Sequence, residues 1–188
     1  MLEAEHFMRL ALAEARSALA CHEFPVGCVL VQRERVVASG RRQHSRAEGS
    51  AAAVNELDHA EIVALRELVA SQPQLDRGEI TLYSTLEPCL MCFSTLILNG
   101  IHRIVYAYED AMGGGSNLPL ATLAPLYREM AVSVTPHLLR QESLELFQEF
   151  FHDPHHDYWR GSLLESYTLA QKAEMSPRPP RHSPKILK

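Results

Sequence analysis

A histidine and two cysteines, thirty residues apart, place the tightest limit on what this chain can fold into. "DHAEIVALRE" (58–67) carries His59 and Glu61 at the start of a stretch with helical apolar spacing, and "LEPCLMC" (86–92) carries Cys89 and Cys92 at the start of another. Thiolate and imidazole are donors that zinc favours, usually in tetrahedral geometry, and a catalytic zinc takes three protein ligands with one position left open. His59, Cys89 and Cys92 supply three such donors, and no fourth protein ligand is evident. Structural zinc sites are normally closed by four protein ligands, so a set of three favours a catalytic centre. A fold that uses all three has to bring two helix starts to a single point. Cys-x-x-Cys at a helix start lets both sulfurs face that point, while the helix N-terminus stabilises thiolate charge.

Glu61 adds a proton carrier. In a helix a residue two positions on points about 200° away, so Glu61 does not ordinarily share a face with His59. At the first turn, both can still flank one cavity. A metal brings the pKa of a bound water down to roughly 7, and a glutamate beside that water can take its proton and pass it on. The pairing suits hydrolytic attack on an electrophilic carbon.

The rest of the chain alternates helices and strands. Residues 3–20 read as an amphipathic helix, and 24–40 as two Val-rich strands around a turn at 32–35. Residues 41–57 read as a loop with one short helical turn, followed by a helix over 58–70 with Asp58 as its N-cap. Then come a strand over 79–86, a helix from Pro88 to Leu98, and a strand over 102–108. "NLPLATLAPLYREM" and "RQESLELFQEFF" read as helices flanking a strand, "AVSVT"; "RGSLLESYTLAQK" resumes a helix after "HDPHHDYW". This order predicts an α/β fold, a three-layer sandwich with helices on both faces of one sheet. The domain plan is a catalytic domain over 1–152, a C-terminal helical extension over 153–172, and a disordered basic tail over 173–188 with four prolines.

His59-Ala60-Glu61 followed by Pro88-Cys89-Leu90-Met91-Cys92 resembles the cytidine and deoxycytidylate deaminase superfamily, whose signature is H-x-E…P-C-x-x-C. "HAE", "LEPCLMC", "FPVG" and "HRIVYA" are most similar to its tRNA adenosine deaminase and guanine deaminase branches, over about residues 5 to 150. The resemblance implies a five-stranded mixed sheet, one Zn2+ per chain on His59, Cys89 and Cys92, and assembly as a homodimer. It implies that Glu61 shuttles protons while water replaces the exocyclic amino group of a nucleobase, which leaves as ammonia. It places Ala60 (through its backbone N–H), Glu87, Pro88 and Asp110 against the substrate. One departure is plain: the tRNA enzymes carry an asparagine two residues after the glycine that ends strand two, whereas Gly40 is followed by Arg41 and Arg42, and Asn55 is not placed as a simple replacement.

Two substrate classes follow. One is an adenosine within tRNA, converted to inosine; the other is a free base, nucleoside or nucleotide, such as guanine or a cytosine compound. A third reading, a deaminase-like binding subunit without chemistry, is disfavoured by the complete set of His59, Glu61, Cys89 and Cys92. The net charge of −5 argues against a broad basic surface for nucleic acid, although the stretch 172–188 carries +4. Glu3 and Glu5 stand where a secretory signal would be basic, and no apolar run reaches the roughly 20 residues of a membrane span. A cytoplasmic enzyme is expected. Cys21 and Cys28 read as small core residues, and Gly113–Gly115 as a flexible turn. Asp110 reads equally well as a loop cap. "HDPHHDYW" reads as a polar junction between helices before it reads as a second metal site. Its aromatic pair raises another role, in which the segment folds over the pocket with Tyr158, Trp159 or a histidine stacked on the substrate.

Overall fold

The computed structural model describes residues 2–45 and 54–171. The tail over 173–188 and residues 46–53 of the loop expected over 41–57 lie outside the described residues. Helix α1 (Leu2–Ala20) leads into the hairpin of β1 (Gly27–Gln32) and β2 (Arg35–Arg41), then α2 (Ala60–Ser71), β3 (Thr81–Leu86), α3 (Leu90–Leu98) and β4 (Arg103–Tyr108). A short α4 (Pro125–Arg128), β5 (Ser133–Thr135), α5 (Arg140–His152) and α6 (Leu163–Ala170) follow. The strands lie in the order β2-β1-β3-β4-β5; β1 runs antiparallel to β2 and β3, and β3, β4 and β5 are parallel. This is the mixed five-stranded sheet expected.

Strand alternation decides which side each helix covers. Val29 and Val31 point into a cluster with Phe7, Met8, Ala11 and Leu12 of α1. Cys28 and Leu30 point the other way, against Ala60, Ala64, Leu65 and Leu68 of α2 and Phe93 and Leu96 of α3. Cys28 is therefore a core residue, whereas Cys21 is exposed just beyond α1. Gly40 lets α2 start directly on β2: a Cβ there would collide with the Ala60 carbonyl oxygen. That close approach puts His59 and Glu61 over the sheet.

Three local expectations change. The N-cap of α2 is His59, not Asp58. The Asp58 carboxylate is engaged elsewhere, accepting from Asn55 at 2.7 Å and Arg66 at 2.7 Å and pairing with the His44 ring at 2.9 Å. Likewise α3 starts at Leu90 with Cys89 as N-cap, two residues after Pro88. The stretch 117–130 is not one helix but a 3-10 turn at Leu120–Thr122 and the single turn of α4. Pro119 and Pro125 each stand at an N-terminal position, since neither can donate from within a helix.

Beyond α5, the chain makes a polar turn and returns as α6, with Ser162 as N-cap accepting from Glu165 N–H at 3.2 Å. Leu164 is buried in the main core, and Thr168 meets the Tyr108 hydroxyl at 3.1 Å. Among the described residues, no helix is long and apolar enough to cross a membrane.

Candidate active site

Two helix N-termini converge. His59 caps α2 and Cys89 caps α3, both with extended backbone, and neither side chain makes a capping hydrogen bond. Their side chains are instead turned toward one another. His59 Nδ1 lies 3.6 Å from Cys89 Sγ and 3.5 Å from Cys92 Sγ. A tetrahedral zinc with ordinary Zn–N and Zn–S bonds separates nitrogen from sulfur by about 3.6 Å. The three donors therefore stand at the spacing such an ion requires, and they form the one His/Cys/Asp/Glu group of that kind among the described residues. "HDPHHDYW" contributes no such group: His156 lies stacked on Phe150, with ring centroids 4.2 Å apart.

Because His59 is extended rather than helical, the 200° separation expected within a helix does not apply. Glu61 sits at the second helical position of α2, 3% exposed, with Ser84 of β3 donating to Oε1 at 3.4 Å. Burial, then the Cys89 charge, pushes its carboxyl above the ordinary range. Hydrogen bonding from Cys92, opposed by burial and helped by His59, draws the Cys89 thiol down to about 4. The Cys92 thiol is pushed upward by its bond to Cys89 and by burial. Burial lowers the His59 imidazole, but Cys89 and Glu61 more than reverse that. Cys89 and Cys92 stand at the start of α3, whose positive end favours thiolate and so suits binding of a cation.

Beside these donors opens a cavity of about 280 Å³. His59, Ala60, Glu61, Glu87, Cys89, Asp110 and Trp159 all line it; Pro88 and Asn55 do not. Pro88 supports the neighbouring loop, accepting from Gly115 N–H at 2.9 Å. The Glu87 carboxylate accepts from Asp110 N–H at 3.2 Å and Ser116 N–H at 3.3 Å, so it holds the 110–116 loop in place. Asp110 Oδ1 accepts from the N–H groups of Met112 and Gly113, both at 2.9 Å, which is the loop-cap role. Asp110 is thus both a cap and part of the cavity wall. Trp159 adopts a left-handed backbone, φ 59°, and is 43% exposed at the cavity edge.

Arg42, Glu56 and Tyr158 also stand in the wall, and of these the sequence names only Tyr158 as a candidate, for stacking on substrate. Arg42 is 2% exposed, with Nη1 donating to the Asn55 carbonyl at 2.7 Å and its guanidinium 5.4 Å from the Tyr158 ring centre. Glu56 and Tyr158 join it there. The sequence signals are the arginine standing where an asparagine was expected and the aromatic pair of "HDPHHDYW"; nothing marks Glu56.

Residues 1–108 match the family model described as the cytidine and deoxycytidylate deaminase zinc-binding region. A tRNA-specific adenosine deaminase of Agrobacterium fabrum is 36% identical over 154 residues, which is 81% of this chain and 97% of that one. A solved tRNA:A34 deaminase, studied for A-to-I editing at the wobble position of transfer RNA, is 33% identical. It superposes with a TM-score of 0.60 over 75% of this chain and 98% of its own. The fold is shared with a guanine deaminase from Nitrosomonas europaea, 22% identical, TM-score 0.63, over 78% of this chain and 83% of that one.

Proposed function

The chain belongs to the cytidine and deoxycytidylate deaminase family, and from that premise we propose that it deaminates an adenosine of tRNA to inosine, using one zinc ion per chain held by His59, Cys89 and Cys92. The observation that carries the reading is the donor trio at tetrahedral spacing with buried Glu61 in the same cavity. The relatives that act on tRNA supply the substrate class.

When bound, zinc supplies Lewis acidity, which lowers the pKa of a water to about 7. Glu61 would take a proton from a water in this cavity and deliver it to the ring nitrogen next to the amino-bearing carbon. The water oxygen forms the new bond to that carbon and becomes its carbonyl oxygen. Glu61 then carries the second water proton to the exocyclic nitrogen, which leaves as ammonia. Burial raises the Glu61 carboxyl above its ordinary range, which favours the protonated form that delivers a proton to substrate. Ala60, at the first helical position of α2, lines the cavity, and because the first N–H groups of a helix have no partner within it, its N–H is the donor assigned to a base acceptor. The base has to be splayed out of its stack to enter. A cytosolic homodimer goes with this reading, supported by the exposed Leu90 and Leu98 on α3.

A second reading, a free base or nucleoside, is favoured by one observation: Arg42 and Tyr158 stand in the cavity wall, a departure from the tRNA branch. Ammonia release from zinc-loaded protein, against Glu61→Ala, separates the two. The panel is bulk tRNA, an adenosine-containing anticodon stem-loop, and adenine, guanine and cytosine as bases and nucleosides. Release from the RNAs alone supports the proposal. Release from a small molecule alone replaces it with the second reading, and no release from any substrate rejects both.

A further inference from the structure

Glu56 stands on the far side of His59 from the sulfurs. Its Oε2 lies 3.4 Å from His59 Nε2, the ring nitrogen opposite the one that faces Cys89 and Cys92. The same oxygen accepts from the Tyr158 hydroxyl at 2.8 Å and from Arg42 Nη2 at 3.3 Å. Arg42 Nη2 also lies 3.3 Å from the Tyr158 hydroxyl, closing the triangle. The Glu56 side chain is 55% exposed, so solvent competes for it. A carboxylate in that position stays aimed at an imidazole only if other groups hold it. Arg42 does so from the end of β2, and Tyr158 does so from the segment between α5 and α6, 102 residues along the chain.

A carboxylate accepting from one imidazole nitrogen keeps the proton there. The other nitrogen is left as the lone-pair donor, with raised basicity and a fixed ring plane. His59 gains no such orientation from helix capping, because its side chain makes no capping bond. We propose that Glu56 is a positioning residue for His59, and that Tyr158, by holding Glu56, couples the seating of the C-terminal segment on the pocket to the strength of metal binding. The proposal rests on His59 being a metal ligand. It gives the polar end of Tyr158 a task distinct from stacking on substrate.

The test is the rate at which the zinc-loaded full chain gives up its metal to a chromogenic chelator, with zinc content measured first. Loss of a partner of this kind typically costs roughly 10- to 100-fold in metal affinity. Glu56→Ala is expected to release zinc faster by a factor in that range. Glu56→Gln, which keeps an acceptor oxygen, is expected to release it more slowly than Glu56→Ala. Tyr158→Phe keeps the ring and loses the hydroxyl, and is expected to speed release by a smaller factor. Glu56→Ala combined with Tyr158→Phe is expected to be no faster than Glu56→Ala alone, since the hydroxyl acts only through the carboxylate. Release from Glu56→Ala and Glu56→Gln at the wild-type rate overturns the role of Glu56. Multiplying effects in the double variant overturn the coupling to Tyr158. A His59→Ala variant that holds zinc as tightly as wild type instead removes the ligand reading beneath both. Far-UV circular dichroism identifies any variant that has lost its fold. Should Glu56→Ala prove to be one, Glu56→Gln alone and with Tyr158→Phe carries the same comparison.

Discussion

Glu61 and the two cysteines sit within one small volume yet call for opposite outcomes on substitution. Removing the Glu61 carboxyl takes away the proton carrier but none of the three donors. Glu61→Ala is expected to keep stoichiometric zinc and lose roughly 10²- to 10⁴-fold in turnover. Elemental analysis together with ammonia release checks both halves, and an active Glu61→Ala would end the mechanism proposed. Cys89→Ala or Cys92→Ala is expected to lose the metal itself, because thiolate donation has no replacement nearby; Cys28 lies in the core beneath. At this scale the convergence of His59, Cys89 and Cys92 was legible from residue type and spacing, since few arrangements other than a metal site use a histidine and a Cys-x-x-Cys in this way. Arg42, Glu56 and Tyr158 were not legible as a group. They come from three parts of the chain, and only tertiary packing brings a tyrosine 102 residues away onto Glu56. Glu87, expected against the substrate, lines the cavity, but its reach to the 110–116 loop depends on a fold of backbone that no local pattern announces.

At the scale of elements, the site is made by where two helices begin. Both starts depend on close backbone approach, and Gly40 is the tightest point. A methyl group there would meet the Ala60 carbonyl oxygen and the Ala64 backbone nitrogen. Backbone cannot rotate away as a flexible side chain can, so α2 would have to move off β2. Overpacking of this kind costs about 1–3 kcal/mol. Gly40→Ala is expected to lower the urea midpoint accordingly and to weaken zinc retention, because His59 moves with α2. A midpoint and zinc content equal to wild type would show that the contact is slack. The helices and strands around this point followed their apolar periods: α1, β1, β2, β3, β4 and α5 all fall where the pattern placed them. The N-caps did not follow simple preference. Asp58 is the better capping residue by type, but the chain uses it to fasten His44, Asn55 and Arg66, leaving the cap to the side chain that faces the sulfurs. Between Asn117 and Met130, the apolar spacing mimicked a helix that two prolines break.

Across the whole molecule, the C-terminal segment closes both the core and the pocket. Leu164 lies in the main core and also lines the cavity, and Tyr158 forms part of the cavity wall. The polar fastening of this segment is concentrated at Glu109, just after β4. Its carboxylate accepts from Arg140 Nε at 2.7 Å and from the Tyr167 hydroxyl at 2.7 Å, joining β4, α5 and α6. Burial pushes the Glu109 carboxyl upward, but hydrogen bonds from Arg140 and Tyr167 outweigh it and bring the group down to about 2 from an ordinary 4.5. The folded chain therefore holds this proton less tightly than the unfolded chain does. Stability from Glu109 is fully present above about pH 4.5 and drains away as pH falls toward about 2. Glu109→Gln lacks that titration. It is expected to be less stable than wild type near neutrality, with the difference shrinking as acid is added through this window. Urea midpoints of the two proteins across the window measure it. A difference that stays constant would mean the ion pair contributes nothing to folding. The readout extends to the pocket: if Glu109 fastens α6, and α6 anchors the segment carrying Tyr158, Glu109→Gln should also show altered Trp159 fluorescence at neutral pH. An unchanged spectrum would separate the fastening of the helix from the seating of the pocket wall.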